Sequence, residues 1–119
     1  MKFGNYVAEQ FDDIRILRYQ VPAFEHLTLK EKILVYYLSR AASAGRDILW
    51  DQNNEYNIEL RRILERILLD YTGNRECDEF RHFVVYAKKV FFANGLHHHY
   101  SMDKFVPRFS AAYFRNLTE

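Results

Sequence analysis

Three stretches of this chain repeat apolar residues at helical spacing, and a glycine follows each of them. That pattern points to a mainly α fold, a small antiparallel helical bundle. In the first stretch Thr28-Leu-Lys-Glu31 reads as a capping box, the threonine hydroxyl accepting from the Glu31 amide while the carboxylate reaches back. Ile33, Leu34, Tyr37, Leu38, Ala41 and Ala42 follow, and Gly45 closes the run, so a helix is predicted from about Leu29 to Ala44. The second stretch carries Leu60, Ile63, Leu64, Ile67, Leu68 and Tyr71 on one face, with Gly73 just beyond. Its other face holds Glu59, Arg61, Arg62, Glu65, Arg66 and Asp70, opposite charges one helical turn apart. The third lines up Phe80, Phe83, Val84, Ala87, Val90, Phe91 and Asn94 and stops at Gly95.

The flanks speak less strongly. Phe3, Tyr6, Val7, Gln10 and Phe11 suggest a short N-terminal helix that frays at Asp12-Asp13. Ile14 to Val21 is part-alternating and β-branched, and Pro22 stops it, so one short extended segment is expected there. Arg46 to Asn54 reads as a polar connector whose Ile48-Leu49-Trp50 triplet plugs a groove between helices. A last short helix is expected from Ser110 to Leu117, capped by Ser110, with Phe109, Tyr113 and Phe114 inward.

At 119 residues and 49% hydrophobic content the chain is expected to form a single domain over 1–119, with 17% aromatics supplying core area. Seventeen Lys and Arg against 16 Asp and Glu, interspersed, leave no field to draw nucleic acid or an acidic membrane. No apolar run reaches the roughly 18 residues of a membrane span, and the N-terminus lacks a signal-peptide core. The single cysteine, Cys77, excludes an internal disulfide framework and suits a reducing, cytoplasmic setting.

Chemistry concentrates between Asn94 and Pro107. His97, His98, His99, Tyr100, Asp103 and Lys104 crowd donors, acceptors and a fixed charge into a few residues, and Pro107 stiffens their exit. Such a segment suits a cleft wall that holds a peptide backbone or a carboxylate. Its rivals are a surface loop in which Asp103 and Lys104 merely pair, and a metal site. Three adjacent imidazoles fit one ion poorly: in extended backbone His97 and His99 point one way and His98 the other. Two of them with a remote carboxylate would take zinc or nickel only adventitiously.

His26 and His82 stand alone, and Cys77 beside Asp78 and Glu79 lacks the electropositive setting of a reactive thiol. The sequence contains no Gly-x-Gly-x-x-Gly, P-loop, nucleophile elbow or His-Glu-x-x-His, so no catalytic set is expected in this chain.

Four blocks in order, Ile16-Leu-Arg-Tyr-Gln-Val-Pro22, Tyr36-Tyr-Leu-Ser-Arg-Ala-Ala42, Gly45-Arg-Asp-Ile-Leu49 with Asp51-Gln-Asn53, and Asn94-Gly-Leu-His-His-His-Tyr100 with Asp103-Lys-Phe-Val-Pro107, carry a resemblance. They resemble the N-terminal region of the dipeptidyl peptidase III family of zinc peptidases, in its Bacteroides-like bacterial form. The resemblance implies a two-lobed enzyme, several times longer, that removes dipeptides from peptide N-termini with one zinc ion in a wide cleft. The family's zinc ligands lie in a His-Glu-x-x-Gly-His helix and a later glutamate motif, and neither motif occurs here. The resemblance therefore implies a fragment from the lobe without zinc ligands, inactive alone, with no cofactor of its own and with peptide substrate and a catalytic lobe as partners. Asn94, His97, His98, His99, Tyr100 and Lys104 are the residues it assigns to substrate contact. The alternatives are a stand-alone peptide- or protein-binding module using the same loop, and a minor metal-binding protein using the histidines.

Overall fold

The computed structural model describes residues 6–119, so Phe3 and the start of the expected first helix lie outside the described residues. The fold is mainly α, with a two-stranded antiparallel sheet near the N-terminus. Two compact units divide the chain, one ending at Asp47 and the other spanning Ile48–Glu119.

In the first unit the expected helix over Val7 and Phe11 is instead strand β1, Val7–Phe11, paired with β2, Ile14–Leu17. Asp12 takes a left-handed backbone (φ 50°), so Asp12 and Asp13 turn the chain back and set Phe11 opposite Ile14. Both apolar side chains are then buried. A short helical pattern loses here to a tight turn beside a β-branched partner. The extended segment is shorter than expected, ending at Leu17, and a short 3-10 turn, Pro22–His26, follows.

Helix α1 runs Leu29–Ala44 with its capping box formed, the Thr28 amide donating to Glu31 at 2.7 Å and Glu31 donating back to the Thr28 hydroxyl at 3.4 Å. The hydrogen bonds from Thr28 hold the Glu31 carboxyl below its ordinary range. None of the α1 side chains is buried. Val35 and Tyr36 extend the apolar surface beyond the Ile33–Leu34–Tyr37–Leu38 stripe, so the helix lacks one narrow inward face.

The expected connector after Gly45 is a helix, α2, Arg46–Asn53. Gly45 keeps right-handed dihedrals (φ −78°, ψ −1°), so it ends α1 without the left-handed cap that glycine commonly supplies. Of the apolar triplet only Trp50 is buried; Ile48 and Leu49 are more than half exposed. On a helix three consecutive residues point in three directions, so one plug is all the triplet can supply.

The second unit packs α3, Asn57–Asp70, α4, Asp78–Ala93, and α5, Ala111–Thr118, around one core. Phe80, Phe83, Ala87 and Val90 form the inward stripe of α4, meeting Trp50, Leu64, Ile67, Phe105 and Leu117. Phe83 contacts Phe80, Phe109 and Phe114 at centroid distances of 5.7, 5.7 and 6.4 Å. Along α3 Arg61 pairs with Glu65 and Arg66 with Asp70, as the charge spacing requires, but only Arg66 lies on the solvated face. Arg61 is largely covered and lays its guanidinium over the Trp50 ring, 5.4 Å from the centroid.

Ser110 caps α5, its hydroxyl accepting from the Tyr113 amide at 3.1 Å and donating to Glu79 at 3.0 Å. Ser110→Ala removes both bonds and is expected to cost about 1 kcal/mol in urea unfolding. Ser110→Thr should retain most of it; an unchanged midpoint for the alanine variant would show that the cap contributes nothing.

Candidate functional site

The histidine segment begins where α4 ends. Asn94 adopts the left-handed conformation (φ 55°, ψ 38°) that commonly closes a helix, and the Gly95 amide returns to the Val90 carbonyl at 3.0 Å. Gly95 itself has φ +156°, and a Cβ built there would fall onto the side-chain amide of Asn57, 2.8 Å from its Cγ.

Asn57 is the residue that sequence reasoning missed. It opens α3 and is fully buried. Its Nδ2 donates to the Trp50 carbonyl at 3.1 Å, and its Oδ1 accepts from the Leu96 amide at 3.2 Å. One side chain thus ties the C-terminal half of α2 to the first residues of the loop. A signal was present: Asn57 is in phase with Leu60 and Leu64, a polar residue on the buried stripe, where such a group must find partners.

From Leu96 to Phe105 the chain forms a closed loop. His97 bridges Lys104 in antiparallel fashion; the Phe105 amide donates to the Leu96 carbonyl at 2.8 Å, and the His98 amide to the Asp103 carbonyl at 2.7 Å. At the tip the Tyr100 amide donates to His98 Nδ1 at 3.1 Å, and Ser101 Oγ donates to the Asp103 carboxylate at 3.0 Å. Below it Phe105 is buried in the core with Lys89 over its ring, 5.3 Å from the centroid.

The imidazoles do not alternate as extended backbone would place them. The backbone is extended only about His97 and turns through His99 and Tyr100, which brings the His98 and His99 rings into a stack at 4.2 Å. His99 also meets the edge of Phe92 at 4.9 Å and Tyr100 at 4.3 Å. Among the described residues no group of three or more His, Cys, Asp or Glu is placed to hold a metal ion.

This loop forms one wall of a cleft of about 560 Å³, with Gln52, Asn53, Ala93 and Gly95 opposite His97, His98, His99, Tyr100, Ser101 and Met102. The size is that of a small-ligand or peptide-end site. Its polar lining consists of side-chain amides, imidazoles, a phenol and a hydroxyl, with no carboxylate, lysine or arginine. Such groups satisfy peptide N–H and C=O without a charge partner. Four of the six residues assigned to substrate contact, His97 to Tyr100, lie on the cleft. Asn94 ends α4 and Lys104 pairs with His97 through its backbone, and neither lines the cleft. Ser101 binds Asp103 directly, with no imidazole between them to take a proton, so the pair is not built as a nucleophile and base.

No protein-family model matches this chain, and no curated protein matches its sequence. Among the described residues no helix is long and apolar enough to cross a membrane.

Proposed function

We propose that the cleft walled by His97–Met102 binds peptide, and that the chain is the substrate-side, non-zinc-binding portion of a dipeptidyl peptidase III-like enzyme. The observation that carries the peptide reading is the cleft itself: hydrogen-bonding groups without net charge, held on a loop tied to two helices by Asn57. The parent enzyme is inferred from the sequence resemblance. In that reading zinc and the water-activating glutamate come from another lobe, and this chain binds and orients the peptide backbone. Its compartment is the cytoplasm, in keeping with a lone, unbridged cysteine.

The exposed apolar residues of α1, with Tyr36 and Tyr37 more than half exposed, fit a chain that meets a larger partner. A stand-alone peptide-binding module is the second reading, and it uses the same cleft.

Hydrolysis of a dipeptidyl arylamide with added zinc tests the assignment, on this chain and on its full reading frame. Activity is expected only in the longer protein. There, His97→Ala with Tyr100→Ala should raise KM about tenfold and leave kcat nearly unchanged, the signature of lost uniform binding. An unchanged KM would remove the loop from the substrate site, and hydrolysis by this chain alone would overturn the non-catalytic reading.

A further inference from the structure

We infer that the histidine loop is a proton-operated wall: neutral His98 fastens the tip at Tyr100, and protonated His98 releases it. The inference deepens the peptide-binding reading, since the moving tip is part of the same cleft, but the switch itself stands on the loop's geometry.

The Tyr100 amide donates to His98 Nδ1 at 3.1 Å. A backbone N–H can only donate, so Nδ1 must be an acceptor and the ring proton must sit on Nε2. When His98 takes a second proton it goes to Nδ1, the one free lone pair in the ring. The hydrogen bond is then lost and two N–H groups face each other. The neighbouring ring adds to this. His98 stacks on His99 at 4.2 Å with an interplanar angle of 27°, so charging both imidazoles sets two like charges in contact.

The charged and titratable groups about His98 are His97, His99, Tyr100, Asp103 and Lys104 on the loop, and Lys89 on α4 across Phe105. The lysines oppose a further positive charge. Asp103 approaches through its carbonyl, and its carboxylate is engaged by Ser101. From α2 the cleft receives only the uncharged Gln52 and Asn53.

Other ties remain when that bond is lost. At the base they are Phe105 to Leu96 at 2.8 Å and His98 to Asp103 at 2.7 Å. At the tip they are the Ser101 amide to the His98 carbonyl at 3.3 Å and Ser101 Oγ to the Asp103 carboxylate at 3.0 Å. Protonation of His98 therefore loosens the tip at Tyr100, a residue lining the cleft, while Ser101 and the base of the loop stay attached.

The test is nitrogen-detected NMR on the 119-residue chain without peptide. At about pH 8 a scalar coupling should connect the Tyr100 amide nitrogen to His98 Nδ1, and it should vanish by about pH 5. Over the same range Tyr100 amide protection, corrected for intrinsic exchange, should fall about tenfold while that of Phe105 holds. His98→Asn supplies an acceptor oxygen near the Nδ1 position that takes no proton, and should keep Tyr100 protected at both pH values. Wild-type protection equal at both ends, or an asparagine variant that still loses it in acid, would overturn the switch. A loop that switches while tetra-alanine fails to bind at either pH would support the switch and count against the peptide reading alone.

Discussion

Asn57→Ala should destabilise the Ile48–Glu119 unit by about 3 kcal/mol and detach the histidine loop from α2. The side chain is fully buried and makes two hydrogen bonds, to the Trp50 carbonyl and from the Leu96 amide. Truncation removes both bonds and leaves a carbonyl and an N–H without their partner in a site shut from water. It also opens space beneath Gly95, whose backbone rests against the Asn57 amide. Asn57→Asp keeps the acceptor for Leu96 but turns an oxygen toward the Trp50 carbonyl, so it should be no better than alanine. Trp50, the one tryptophan, lies in the core beside this site and reports unfolding by its fluorescence. A loss below about 1 kcal/mol would mean that Asn57 is not the clamp.

The second large effect is expected at Gly95→Ala, again about 3 kcal/mol. Two penalties combine: the φ of +156° is one that residues with a Cβ rarely adopt, and the new methyl would meet Asn57. The two sites are therefore coupled. In the double variant the shortened residue 57 vacates the space that the new methyl needs, so the combined loss should fall short of the sum by about 1 kcal/mol. Strict additivity would show that the strain at Gly95 is purely one of backbone conformation.

The helices were legible in the sequence where apolar spacing, a cap and a stop agreed. Thr28 and Glu31 set the start of α1, the Phe80–Phe83–Ala87–Val90 stripe set the buried face of α4, and Ser110 set the start of α5. Where only spacing was present the reading failed. Val7 to Phe11 has helical periodicity, but Asp12 turns the chain and pairing with Ile14–Leu17 decides the conformation. Arg46 to Asn53 is too polar to show an apolar face, and its helix becomes visible only through the burial of Trp50.

The candidate site divides in the same way. The density of polar groups from His97 to Asp103 marked the loop, and the proposed peptide contact draws on His97 to Tyr100. What holds the loop in place was hidden, because Asn57 and Leu96 lie 39 residues apart and meet only in the fold. The stacking of His98 on His99 was hidden too, since it depends on a turn that adjacency in sequence does not announce.

The most direct test of peptide binding is an amide-shift titration of the isotope-labelled chain with tetra-alanine. Shifts that saturate in the millimolar range, at about 1 mM, and that cluster on His97–Met102 with Gln52 and Asn53 are the predicted result. No shift at about 10 mM peptide, or shifts gathered on α1 instead, would contradict the assignment of the histidine loop as the peptide-binding wall.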